Sequence, residues 1–229
     1  MAEDISFSVS SDCHRLGLRS GAVIFRNVRV GEASAELRAE VAQEIDVVRA
    51  HFADSAAIRA VAEVAAFREV LRAMGVNLKK TQPSVERLLN LALKRGTLPA
   101  INNLVDAYNL VSIRLLCSLG AHDLDHIALP VALRLLKGQE TFIPLGQDSA
   151  APVAPGEFGY VDAADRVLCW LDVLQAEFSK VTAATVNALL IVEGTTAHSA
   201  ENLQQTIAAA IEMITRHCGG TVEKIASPS

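Results

Sequence analysis

Residues 188–192 read Ala-Leu-Leu-Ile-Val and stop at Glu193. A short, unbroken apolar run that is rich in branched side chains is the pattern of a buried strand, so the chain must build a core around it. The 229 residues are ample for that, as one large domain or two small ones. Hydrophobic residues make up 51% and charged residues 21%, which excludes a disordered chain. With aromatics at only 4%, the core rests on Ala, Val, Leu and Ile. No uncharged apolar run approaches the ~18 residues of a membrane helix, so no membrane partner is expected.

Around that strand the signals alternate between strand and helix. Residues 5–9 and 22–30 are β-rich. Ser34 is placed to cap a helix whose apolar stripe runs Leu37, Val41, Ile45, Val48, Phe52. Asp54 or Ser55 starts a second, with Ala57, Val61, Val64, Phe67, Leu71 and Met74 stepping by three and four. Pro83, Glu86 and Lys94-Arg95-Gly96 mark a third from its first turn to its glycine cap. A fourth covers 101–116, and a last one opens at Ser199 and ends at Cys218-Gly219-Gly220. Strands are expected at 129–136, 141–145, 158–162, 167–173 and 188–192, a loop at 147–156 and a mobile tail at 221–229. No repeat or linker divides the chain. We therefore expect one α+β domain, a mixed β-sheet packed with helices.

Twenty-six acids against twenty-one bases give a formal charge of −5, which disfavours coating of long duplexes but permits a short RNA end held by local cations. Cys13, Cys117, Cys169 and Cys218 show no C-x-x-C spacing. The start Met1-Ala2-Glu3-Asp4 lacks the order of a signal peptide, so a cytoplasmic protein with reduced thiols is expected.

Three clusters could carry chemistry. Gly120-Ala121-His122-Asp123-Leu124-Asp125-His126 offers two histidines and two carboxylates, but no H-E-x-x-H and no obvious third ligand. A polar turn with Asp bonding local amides is the plainer reading, and no metal is expected. Asn102, Asp106 and Asn109 share one helix face, and asparagine and aspartate are poor helix-interior residues unless they bond something specific. They either line a site or tie the helix to neighbouring backbone. Glu193 ends the buried strand, where α/β proteins often place site residues; the common alternative is an acid already in water. There is no G-x-S-x-G, P-loop or G-x-G-x-x-G, and Cys117 and Cys169 lie in apolar surroundings unsuited to a nucleophile.

The stretch from Lys79 to His126 carries Pro83-Ser84-Val85-Glu86, Lys94-Arg95-Gly96-Thr97-Leu98-Pro99, Ile101-Asn102-Asn103-Leu104-Val105-Asp106, Asn109 and Asp123-Leu124-Asp125. In these motifs it resembles the B3/B4 domain, the editing module of the phenylalanyl-tRNA synthetase β-chain. The likeness continues through Leu133-Arg134, Gly138-Gln139-Glu140, Pro144-Leu145-Gly146, Pro155-Gly156-Glu157 and Leu189–Glu193. The resemblance covers 77–220 and leaves 1–76 as a strand/helix extension packed on it within a single domain, 1–229. It implies an α/β sandwich and hydrolysis of a mischarged aminoacyl-tRNA, with Glu193 and His122 as catalytic candidates. Asn102, Asp106, Asn109 and Asp123 would bind substrate. The synthetase form carries a histidine nearest Gly120 followed by Ala and Phe, so His122 here stands in the aromatic's place. Lys79, Lys80, Lys94, Arg95 and Arg134 would hold RNA, with a tRNA or aminoacyl-tRNA 3′ end as partner, a homo-oligomer allowed and no cofactor required. Nothing resembles the synthetase's ATP-binding portion, so aminoacylation is not expected. The alternative is a non-catalytic RNA- or amino-acid-binding module.

Overall fold

The computed structural model describes residues 7–226 and residue 228. Ile5, expected in the first strand, lies outside them. The chain begins with β1 (Phe7–Val9), a one-turn helix α1 (Ser11–Arg15) and β2 (Leu18–Arg26). Five helices follow: α2 (Ala35–His51), α3 (Ser55–Ala60), α4 (Ala62–Ala73), α5 (Ser84–Arg95) and α6 (Asn103–Leu115). Next come β3 (Ser118–Asp123), a 3₁₀ turn at Leu124–His126, β4 (Val131–Leu135), β5 (Phe158–Val161), β6 (Val167–Trp170) and β7 (Leu174–Gln175). The described chain closes with β8 (Ala188–Thr195), α7 (Ala200–Cys218) and β9 (Thr221–Ala226). The helix starts follow the sequence signals. Ser34 accepts the Leu37 amide at 3.1 Å, Asp54 accepts Ala56 and Ala57 at 2.7 and 2.9 Å, and Ser199 accepts Asn202 at 3.0 Å. Gly96 ends α5 in the left-handed region at φ 64°.

The α+β class holds, but the strands divide between two sheets. One is antiparallel, in the order β3-β8-β2-β9. The other is mixed, β1-β4-β5-β6-β7, with β1 parallel to β4. Residues 7–76 contribute to this framework, because β2 lies between β8 and β9 and β1 pairs with β4. The apolar run explains itself here. In β8, Ala188, Leu190 and Val192 pack with residues of α6 and α7, while Leu189 and Ile191 face the second sheet beside Leu133, Phe158 and Leu168. Both faces of the strand are buried, so no polar alternation survives. Burying each such side chain contributes ~1.5–3 kcal/mol. A charge-bearing residue on that face, at position 193, is therefore a departure that needs a reason. A third cluster, around Ile58, Phe67, Val85 and Leu89, joins α3, α4 and α5.

Four expectations change. The second helix breaks at Val61 (φ −64°, ψ 134°) into α3 and α4, and Ser55 Oγ fastens α3 to Asn90 of α5 at 2.5 Å. Residues 141–145 make only the isolated bridges Thr141–Arg166 and Pro144–Ala176, since Pro144 has no N–H for a ladder. The run 167–173 is not one strand: it folds back at Leu171-Asp172. Within the tail expected to be mobile at 221–229, Thr221–Ala226 instead forms β9, antiparallel to β2. Gly219 and Gly220 reverse the chain at φ 67° and 82°, and a Cβ on Gly220 would meet the Arg26 carbonyl at 2.6 Å.

Candidate functional site

Register places Ser20 of β2, Glu193 of β8 and Ser118 of β3 in one row across the antiparallel sheet. The row faces the second sheet, and it opens into a cavity of about 400 Å³ between the sheets and the helices α5 and α6. The walls are largely apolar, from Leu88, Leu91, Val105 and Ile191, with Ile101 and Leu145 exposed.

Glu193 is 1% exposed. Tyr160 of β5 donates its hydroxyl to Glu193 Oε2, and Ser20 Oγ lies 2.9 Å from the same phenol. Glu193 Oε1 is buried and has no hydrogen-bond partner among the described residues. Such an atom costs about 1–3 kcal/mol, so an unmatched one in a cavity wall marks a place where a ligand group fits. Burial pushes the Glu193 pKa well up, the nearby Asp172 charge pushes it further, and the Tyr160 bond opposes both.

Asp172 is a residue that sequence reasoning missed. Leu171 and Asp172 both take left-handed φ, 53° and 56°, and the Val173 amide closes the turn on the Trp170 carbonyl at 3.0 Å. Asn-Gly usually fills such a pair of positions; a branched leucine and an aspartate there store strain. The turn sets Asp172 into the cavity wall, where Ser118 Oγ donates to its Oδ2 at 2.6 Å. Burial raises the Asp172 pKa to about 7, against the bonds from Ser118 and the Ser84 amide and the charge of Arg87. Arg87 is an exposed residue on the same wall and forms no ion pair with a described residue. The only sequence trace of this turn is Leu-Asp inside an otherwise strand-like run.

His122 lines the cavity from β3 and is 1% exposed. Its Nδ1 pairs with Ser179 Oγ at 3.0 Å, and burial lowers its pKa to about 4, so it is a neutral imidazole near pH 7. Gly120, nearest the place of the synthetase form's histidine, is filled from across the cavity: a Cβ there would meet Gln175 Nε2 at 2.8 Å. His126 sits apart on the 3₁₀ turn, exposed and 3.3 Å from Asp123. Cys169 also lines the cavity, but burial and the neighbouring Asp172 and Glu193 charges push its thiol pKa well up, away from the thiolate.

The remaining candidates scatter. Asn102 caps α6 by accepting the Val105 amide at 2.9 Å. Asp106 accepts the Ile101 amide at 3.0 Å. The neighbouring Asn103 accepts Gly31 N at 2.9 Å and donates to the Arg29 and His217 carbonyls at 2.9 Å each. Asp123 accepts Thr185 Oγ1 at 2.6 Å and the Asp125 amide at 3.1 Å, and does not line the cavity. Of that polar helix face only Asn109 reaches it. Lys79, Lys80, Lys94 and Arg95 are exposed. Arg134 is engaged within the fold, by Glu140 and by Asp165 at 2.8 Å.

A model of the B3/4 domain family matches residues 66–219, more than half of the chain. Among solved structures, the chain is similar to an N-terminal fragment of the phenylalanyl-tRNA synthetase β-subunit from Pyrococcus horikoshii. The TM-score is 0.53 at 12% identity, covering 96% of this chain and 50% of that one. The chain thus spans about half the length of that fragment and shares its fold. No curated protein matches the sequence.

Proposed function

The chain belongs to the B3/4 domain family, and on that premise we propose that the cavity around Glu193 receives the aminoacyl group of a mischarged tRNA 3′ end and hydrolyses its ester. The observation that carries this reading is the buried, unpartnered Glu193 Oε1 in the wall of a largely apolar cavity of about 400 Å³. An apolar body with one hydrogen-bonding group at its far end is the ligand such a site selects. Tyr160 already donates to Oε2, so Oε1 is left to accept a hydrogen bond from a substrate hydroxyl. A site that bonds a hydroxyl rejects the analogue lacking it by ~10⁴-fold or more.

Hydrolysis adds water across the ester. Water oxygen bonds to the carbonyl carbon, the bond to the ribose oxygen breaks, and the proton passes to that leaving oxygen. No side-chain nucleophile is required, because an aminoacyl ester is activated and holding water in place supplies most of what is needed. His122, neutral and held through Nδ1, leaves Nε2 to orient that water. Asp172 changes charge near neutral pH and is the group suited to take its proton. Arg87 supplies a cation for developing negative charge.

A panel of tRNAs carrying different mismatched amino acids tests the proposal by ester release. We expect release from at least one, strongest for a hydroxyl-bearing aromatic or aliphatic side chain. Binding in a mobility shift without any release would leave the non-catalytic alternative.

A further inference from the structure

A second cavity of about 300 Å³ adjoins the first, and Pro99 and Asn109 belong to the walls of both. Its other walls are α2, through Leu37, Val41 and Ile45, and the segment from Gly96 to Ala100. Three observations say what it takes. Asn109 is 8% exposed, and its carboxamide forms no hydrogen bond with a described residue, so a donor and an acceptor are left at the junction of the two spaces. Cations gather there although the chain is acidic overall. Arg38 lines the cavity and donates to the Ala33 carbonyl, and Arg49 Nη1 lies 3.2 Å from where a Gly96 Cβ would stand. Lys94 and Arg95 form the adjoining end of α5. None of the four makes an ion pair with a described residue, whereas the α2 acids Glu40 and Glu44 are taken by Arg216 and Arg114. The acids on the walls are Asp46 and the buried Asp106.

An aminoacyl group is esterified directly to a ribose, so a pocket for one must open within a single linkage of a pocket for the other. We propose that the second cavity holds the terminal nucleoside of the RNA whose aminoacyl group occupies the first, with the phosphate at the rim where Arg49, Lys94 and Arg95 lie. This rests on the reading given above for the Glu193 cavity. The base lies in the apolar slot against α2, Asn109 bonds the sugar at the junction, and the cations at the rim take the backbone.

Nucleotide binding tests this without any chemistry. Titrating the full chain with adenosine 5′-monophosphate should move amide resonances of α2 and 96–100. Adenosine should bind ~10-fold more weakly, the worth of a charge-assisted contact. Ala42 is an exposed wall residue outside the Glu193 cavity, and Ala42→Trp fills the slot. It should weaken the monophosphate at least ~10-fold while leaving tyrosine methyl ester binding unchanged. A Lys94→Ala/Arg95→Ala variant should bring the monophosphate down toward adenosine. No binding of the monophosphate, or binding that ignores Ala42→Trp, would overturn the proposal. Loss of methyl ester binding in Glu193→Gln, titrated separately, reads only the first cavity, so the two readings fail independently.

Discussion

Two buried glutamates in this chain are treated in opposite ways. Glu140, in the turn after β4, accepts the amides of Lys137, Gly138 and Gln139 at 2.9–3.2 Å and pairs with Arg134. Burial works to raise its pKa, but the Lys137 amide and the Arg134 side chain reverse that and hold it down at about 2. Among the described residues Glu193 has a single donor, Tyr160, and one oxygen with none, and its pKa is pushed well up. The first carboxylate is satisfied and serves the fold; the second is left under-satisfied where a cavity reaches it. A chain able to gather four donors around one glutamate could have paired the other, so the deficit at Glu193 is read as a feature of its site.

The comparison is broken most easily from the structural side. Glu140→Gln should destabilise the protein by about 2–4 kcal/mol at pH 7, because Arg134 is left partly buried beside a neutral amide. Its pKa is lowered on folding, so the contribution of Glu140 should be present above its ordinary pKa of 4.5 and fade as pH falls toward 2. Denaturant unfolding at pH 7 and pH 3 checks both points.

Glu193→Gln should do the reverse. A pKa raised on folding stabilises only at low pH and is lost as pH climbs, so removing the ionisable group should leave stability unchanged at pH 4 and raise it by ~1–3 kcal/mol at pH 8. Loss of stability at pH 8 would place Glu193 with Glu140, as a structural acid. Asp172→Asn should show the same sign with a smaller gain, ~1–2 kcal/mol, because Asp172 is only half-buried and solvent screens it. The gain should build as pH rises from 3.8 to about 7 and stay constant above it.

His122 lies on the same cavity wall with the opposite sign. Its pKa falls on folding from 6.5 to about 4, so stability is lost as pH drops through that window. His122→Gln should flatten that part of the profile by on the order of 1 kcal/mol, followed by thermal unfolding at pH 4.5 and pH 7. The smallest effect is expected for Lys94→Ala/Arg95→Ala, which should leave stability within ~0.5 kcal/mol. It should weaken RNA binding and shallow its salt dependence, with a slope change near 0.7 per lost contact on a single strand.

Much of the fold was legible because local signals and packing agree. Ser34, Asp54, Ser199 and Gly96 cap where their chemistry says, and the run 188–192 is a strand buried on both faces. What escaped depends on contacts distant in sequence. Thr221–Ala226 is a short segment at the end of the chain that is ordered by pairing with β2. The two sheets could not be separated from a list of strands, because which strands pair is decided between segments such as β2 and β8. In the site, Glu193 and His122 announced themselves by position, whereas Asp172 is delivered by a strained turn that no residue pattern signals. The polar face of α6 divides within two turns. Asn102 and Asp106 hold local amides, Asn103 ties the helix to neighbouring backbone, and Asn109 meets the cavity. Spacing alone cannot make that division.

The most direct test is ester release by the parent and by Glu193→Gln, on the same mischarged tRNA and with unfolding measured in parallel. If the deficit at Glu193 exists for a substrate, the glutamine variant should lose ~10- to 100-fold in release while folding at least as stably as the parent. Full activity in the variant, or activity lost only together with stability, would show that Glu193 belongs to the fold and that the substrate is bound elsewhere.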